Sequence, residues 1–143
     1  MIRENMEMTT LSDLKVGDRL PELQLDPITR TAIGIYAGAS GDFNPMHIDV
    51  DAARKAGFDD VFVHGMLPAA YLLRAVTALA PPHCIKEYKV RFVGITQVHD
   101  RLQCSARVAD IGDQAGQPTV RLDLECKNEA GETKVVGHAV ISI

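Results

Sequence analysis

Between Ser40 and His47 the chain reads Ser-Gly-Asp-Phe-Asn-Pro-Met-His, which brings a carboxylate (Asp42), a carboxamide (Asn44) and an imidazole (His47) close together in sequence. An Asp and a neutral His that both reach one water form a general acid/base pair. That chemistry requires a bent backbone. On a continuous helix Asp42 and His47, five residues apart, would point roughly 140° away from each other. Pro45 removes an N–H and pushes Asn44 towards an extended conformation. Gly41 and Asn44 are turn formers, one for steric reasons and one through its side-chain amide. The stretch is therefore a loop that can fold Asp42 and His47 towards one point. The competing reading is a plain helix stop followed by a turn, since such residues crowd into loops. A second landmark, Val63-His64-Gly65-Met66-Leu67, stands at the mouth of the most apolar helical segment and weighs against it.

The elements that would position these residues follow from periodicity. Leu11 to Asp26 carries a Val16-Gly17-Asp18 turn and then Leu20, Leu23 and Leu25, and Pro21 marks that piece as an edge or irregular strand. Asp26-Pro27 predicts a helix start with Asp26 as N-cap. Ile28, Ala32, Ile35, Tyr36 and Ala39 would form its buried face, and Gly34 and Gly38 would mark close backbone packing. Asp49 predicts the cap of a short helix from Val50 to Ala56, ended by Gly57. Val61-Phe62-Val63 reads as a brief extended run. Met66 to Leu79 is apolar on nearly every side, the pattern of a buried helix, and Pro81-Pro82 stops it. From Cys84 on the period changes to two, giving four alternating runs joined by turns at 112–116 and 128–131, which read as an antiparallel meander. The fold class is α+β: one domain over 1–143, with 1–10 a loosely tied terminus and a curved antiparallel sheet wrapped around the apolar helix. Small residues such as Gly137 and Ala139 would let the sheet approach that helix. The sheet's open flanks suggest pairing with a second copy.

Composition narrows the function. The chain has 143 residues, 46% hydrophobic and 24% charged, an ordinary balance for a soluble domain. A net charge of −4 and a pI near 5.7 argue against nucleic-acid or membrane-surface binding. Cys84, Cys104 and Cys126 are widely spaced and form no CxxC, so neither a disulfide framework nor a zinc knuckle follows. Met1 to Met8 has no apolar core of a signal peptide, and 61–80 is interrupted by His64, Pro68 and Arg74, too broken for a membrane span. The expected compartment is the cytoplasm.

Tyr36-x3-Ser40-Gly41-Asp42-Phe43-Asn44-Pro45-Met46-His47-x-Asp49, followed by His64-Gly65-Met66, resembles the (R)-specific enoyl-CoA hydratases of the MaoC-like group. The likeness is close from Ile28 to Leu79 and extends to the order of the following strands. It implies a hot-dog fold, a homodimer or higher assembly of dimers, and an acyl-CoA thioester substrate with no cofactor besides the coenzyme A it carries. It also implies reversible addition of water to a trans-2-enoyl thioester, giving the (3R)-hydroxyacyl product. By resemblance Asp42 and His47 activate the water and return a proton to C2, and Asn44 orients the water or its partners. Gly65, at a helix mouth where N–H groups lack partners, offers its own N–H to the thioester enolate. His64, Met66, Ser40 and Tyr36 are the expected substrate-binding neighbours.

There are two departures from the family pattern. Members often carry Pro-Val-x-x-Gly-Asp after the first long strand, where this chain has Gly94-Ile95-Thr96-Gln97-Val98-His99-Asp100. A hydroxyl that some relatives place in the central helix falls at Leu73. Arg54, Lys55, Lys89 and Arg91 are candidates for the phosphates of coenzyme A. Three rival functions remain. A metal site from Asp42, His47, Asp49 and His64 lacks regular ligand spacing, and none is expected. A hot-dog thioesterase would also use a carboxylate, but Asn44-Pro45-x-His47 favours hydration. A subunit of a heteromeric hydratase, as in steroid side-chain breakdown, gains from the unusual exit loop and loses from the intact Asp42, Asn44 and His47.

Overall fold

The computed structural model describes residues 11–143; the expectation of a loosely tied terminus at 1–10 lies outside the described residues. A five-stranded antiparallel sheet curls around one central helix, the hot-dog arrangement. The strands are β1 (Leu23–Gln24), β2 (Ile85–Phe92), β3 (Gln103–Gln114), β4 (Gln117–Lys127) and β5 (Thr133–Ser142). The helices are α1 (Arg30–Ser40), α2 (Val50–Lys55) and α3 (Met66–Thr77). Alternate residues of β3, β4 and β5 (Cys104, Ala106 and Val108; Leu122, Leu124 and Cys126; Val135, Ala139 and Ile141) are buried, as are Leu67, Leu72 and Val76 of α3. Burial of these side chains dominates the energy of the fold, and truncating a fully buried one such as Leu72 to Ala would cost about 2–5 kcal/mol.

The sheet order is β1-β3-β4-β5-β2, which corrects the expected four-strand meander. Only β3, β4 and β5 follow one another; β2 crosses to the far side and pairs with β5 from Ile85↔Ile141 to Phe92↔Val135. Alternation gives a strand's faces but not its neighbour. The hairpin between β3 and β4 is longer than the periodicity suggested, because its turn is tight. Ala115 and Gly116 both take positive φ, 52° and 83°, as a two-residue hairpin loop requires. Gly137 matters for a different reason than expected. A Cβ there would lie 2.1 Å from the Lys89 carbonyl oxygen, so the missing side chain admits β2, not the helix.

The segment before α1 runs along the outer side of β3 as the irregular edge that Pro21 implied, with Gly17, Leu20 and Leu25 N–H groups bonding to Val108, Ala106 and Leu102 carbonyls. Helix α1 begins later than Asp26-Pro27. Thr29 is its N-cap, its hydroxyl accepting the Ala32 N–H at 3.0 Å. Of the expected face, Ile28 is buried just ahead of the helix and Ala32 and Tyr36 pack half-buried against the core, but the later start buries Ile33 and Ala37, leaves Ile35 68% exposed and Ala39 exposed, and puts nothing within 4 Å of a Cβ at Gly34 or Gly38. Helix α3 is likewise buried on one side only, with Met66 and Ala70 exposed, and it ends at Thr77, ahead of Pro81. Helix α2 matches expectation: Asp49 caps it, and Gly57 leaves it at φ 93°.

Candidate active site

Helix α1 stops where Gly41 turns left-handed at φ 75°, its N–H bonded to the Ala37 carbonyl. That conformation suits glycine because it has no Cβ to clash. The chain then folds back on its own side chains. Ser40 Oγ accepts the Asp42 N–H, an Asp42 carboxylate oxygen accepts the Asn44 N–H, and Asn44 Oδ1 accepts the Met46 N–H. Asn44 is extended at ψ 121°, as the following proline dictates, and caps one 3-10 turn over Pro45–His47. Ser40 and Asn44 thus shape the loop, and the Asn44 amide N–H donors have no partner among the described residues.

The turn sends His47 inward, 8% exposed, and leaves Asp42 exposed. His47 Nδ1 lies 2.6 Å from the Phe62 carbonyl oxygen. A carbonyl only accepts, so Nδ1 carries the proton and Nε2 holds the lone pair that a general base needs. The Phe62 ring meets the His47 ring edge-on at 4.9 Å. His64, 1% exposed, stacks on the His47 ring at 4.0 Å between ring centroids and donates Nε2–H to the Asp42 carbonyl at 2.9 Å. Tyr36 packs edge-on to His64 at 5.0 Å. One donor atom from each of Asp42, His47 and His64 lies within 4.8 Å of the others. One water with two hydrogen bonds of about 2.8 Å bridges such a gap. The same three donors are the kind of set that could take a metal ion. Asp49 is not among them, because its carboxylate accepts the Asp51 and Ala52 N–H groups at the start of α2.

Gly65 follows directly as the N-cap position of α3, with no side-chain cap of its own. A Cβ there would sit 3.3 Å from the Phe92 ring, so the glycine face and that ring form one wall beside the helix mouth. Met66, 55% exposed, and Phe43, 63% exposed, carry the apolar surface on around the site.

Sequence reasoning missed the residues that hold Phe62 in place. Arg30 grips Asp60 with both guanidinium nitrogens, and Asp60 also accepts the Val61 N–H. The Arg30 hydrogen bond first, and then the Val61 N–H and nearby positive charge, hold the Asp60 carboxyl at about 2, below its ordinary value. On the other side Val63 donates to the Thr96 carbonyl and Phe62 bridges to Gln97. The 94–100 loop that departs from the family pattern is therefore a support of the site. Within it His99 adopts φ 72°, a conformation that glycine takes freely. Beneath it Asp100 accepts the Gln97 N–H, and the buried Lys134 ammonium bonds the Ile95 carbonyl at 2.7 Å and Glu132 at 2.8 Å. The spacing that could have revealed this, Arg30 to Asp60, spans thirty residues and carries no local signal. Lys89 and Arg91 stand away from this group on the outer face of the sheet, beside a concavity of about 350 Å³ shared with Arg121 and His138.

The model of the MaoC-like domain family matches residues 15–130. The chain belongs to that family. This MaoC-like protein is 27% identical over its whole length to the mitochondrial 3-hydroxyacyl-[acyl-carrier-protein] dehydratase of Arabidopsis thaliana, 85% of which it covers. It superposes on the unliganded R-hydratase PhaJ1 of Pseudomonas aeruginosa with a TM-score of 0.78 and 27% identity, covering 91% of this chain and 82% of that one. It is also similar to a chain of the ChsH1-ChsH2 complex of Mycobacterium tuberculosis, with a TM-score of 0.77 and 28% identity over 90% of this chain and 98% of that one. It is an enzyme of the MaoC-like dehydratase family with the hot-dog fold. Among the described residues no helix is long and apolar enough to cross a membrane.

Proposed function

We propose that this protein is a hydro-lyase that adds water reversibly to a trans-2-enoyl thioester, giving the (3R)-hydroxyacyl product, with coenzyme A as the thioester carrier. The observation that carries the reading is the Asp42 carboxylate and a His47 ring nitrogen within 4.8 Å of each other, beside the mouth of α3. A water held between them donates one proton to the His47 Nε2 lone pair and the other hydrogen bond to Asp42. Its hydroxide adds to C3, the enolate charge develops on the thioester oxygen, and the proton is returned to C2 from the same side. The substrate keeps its thioester, and the elements of one water are all that is gained. The Gly65 N–H stands at a helix N-terminus, where backbone dipoles favour negative charge, and is the proposed enolate donor. His64, Met66, Ser40 and Tyr36 were the expected substrate neighbours; of these the exposed Met66 is the one we assign to the acyl path. No cofactor is required, and the cytoplasm is the proposed compartment.

Acyl carrier protein is the alternative thioester carrier, favoured by the likeness to the Arabidopsis thaliana dehydratase. The likeness to the ChsH1-ChsH2 complex favours a second reading, in which this chain works beside a different one. The deciding experiment follows loss of enoyl-thioester absorbance over a panel from crotonyl-CoA to steroid enoyl-CoA and their carrier-protein counterparts, with chiral analysis of product. Asp42→Asn should lower kcat by about 10²–10⁴-fold, the usual loss of a general acid/base group, with the thermal midpoint unchanged. Absence of hydration with every acyl chain and carrier would overturn the stand-alone hydratase.

A further inference from the structure

His64 touches more of the site than any reaction step asks of it. Its Nε2–H holds the carbonyl of Asp42 at 2.9 Å, its ring lies 4.0 Å from the His47 ring at an angle of 30°, and its peptide bond leads directly to Gly65. Its own carbonyl accepts the Leu67 N–H and so begins the first turn of α3. One side chain therefore fixes the acid's loop, the base's ring and, through the main chain, the N–H at the helix mouth. Packing alone does not explain an imidazole here. The ring is 1% exposed and its Nδ1 is buried without a hydrogen-bond partner among the described residues. A phenyl ring would fill the same space without leaving an acceptor unmatched, and an unmatched buried acceptor is costly. What the imidazole adds over a phenyl ring is the one bond from Nε2 to Asp42.

We propose that His64 is the positioning residue of this site: it sets Asp42 and His47 at the separation one water can bridge, and it does so without contacting the reacting atoms. The proposal rests on the hydratase reading for its kinetic consequence only. Its test compares the wild type with His64→Phe, which keeps the stacked ring and loses the donor, and His64→Gln, whose amide N–H reaches about as far as Nε2. Each is assayed for kcat and KM with crotonyl-CoA, for thermal midpoint, and for amide hydrogen exchange across residues 41–48. His64→Phe should lower kcat by about 10–100-fold, because small misplacements of reacting groups cost that much, while KM changes less than about threefold. Exchange in the loop should quicken by about tenfold as its local opening becomes easier. His64→Gln should restore both to within about fivefold of wild type. Should His64→Phe fail to fold, His64→Asn, whose amide is too short to reach the Asp42 carbonyl, takes its place with the same expectation.

Wild-type kcat and loop protection in His64→Phe would overturn the proposal. So would a rise in KM at unchanged kcat, which would make His64 a substrate contact, or a loss shared equally by His64→Gln. If the wild type hydrates no thioester at all, the hydratase reading fails, and the exchange measurement still decides the role of His64 because it needs no turnover.

Discussion

Gly65, the proposed enolate donor, is where a single added atom would meet the wall beside the helix mouth. A Cβ added there meets Phe92 ring carbons at 3.3 and 3.4 Å. That contact is with a side chain 49% exposed, which can swing aside, so Gly65→Ala should fold normally. The added methyl would still stand over the N–H proposed to hold the enolate oxygen. We expect kcat to fall by about 10²–10³-fold, the loss typical of one oxyanion donor, with a thermal midpoint within a few degrees of wild type. A fully active Gly65→Ala would remove this N–H from the mechanism. At the same scale the sequence marked His47 as the candidate base from its residue type and its place after Pro45. Which of its nitrogens is free was not readable, because that depends on the Phe62 carbonyl fifteen residues away.

Two junctions between elements carry the site. The first is where β2 pairs with β5. The Cβ of Gly137→Ala would fall 2.1 Å from the Lys89 carbonyl oxygen and 3.0 Å from the Val90 Cα, both backbone atoms that cannot yield without parting the strands. Overpacking of this kind should cost about 3 kcal/mol, lowering the thermal midpoint by roughly 10 °C in a chain of this size. An unchanged midpoint would show that β2 does not approach β5 this closely. The second junction is the Arg30 fork on Asp60, which ties the first turn of α1 to the segment bearing Phe62. The Asp60 carboxyl titrates at about 2, below its ordinary value of 3.8, so the folded state binds this proton less readily than the unfolded one. Stabilisation from the pair is therefore complete above about pH 4 and is lost as the pH falls through about 2. Thermal midpoints of wild type and Arg30→Met should differ at pH 5 and converge by pH 2. A gap independent of pH would mean that the fork contributes no linkage.

Taken whole, the molecule leaves one side unfinished. β2 is an eight-residue strand at the edge of the sheet, bonded to β5 on one side, and the chain continues from it into exposed Val93 and Ile95. An edge of that length with apolar side chains beside it is a template for another strand. The exposed Asp42, Phe43 and Met66 likewise lack the cover that an acyl chain needs. We expect sedimentation at micromolar concentration to show at least a dimer, isologous across this side. A fully active species of 15.6 kDa would count against it.

What the sequence determined by itself was local. Gly41, Asn44 and Pro45 bend the chain after α1 whatever surrounds them, Asp49 caps α2 with its own carboxylate, and the alternation of β3 to β5 declares their buried face. The motif from Tyr36 to Asp49 offered an acid/base pair for the same reason, and its likeness to the MaoC-like hydratases, carried by residues a few positions apart, added hydration. Of the misjudged elements the sheet order was decided at a distance, whereas the start of α1 turned on a local cap, the Thr29 hydroxyl three residues before Ala32. With Thr29 as N-cap, α1 buries Ile33 and Ala37 beside the half-buried Ala32 and Tyr36. β2 left β3 for β5, and Gly137 turned out to admit a strand. Tertiary structure alone joined Asp42 to His64 across twenty-two residues and Arg30 to Asp60 across thirty. Such contacts form only once the core has brought separate segments together, so no periodicity or spacing within a segment encodes them.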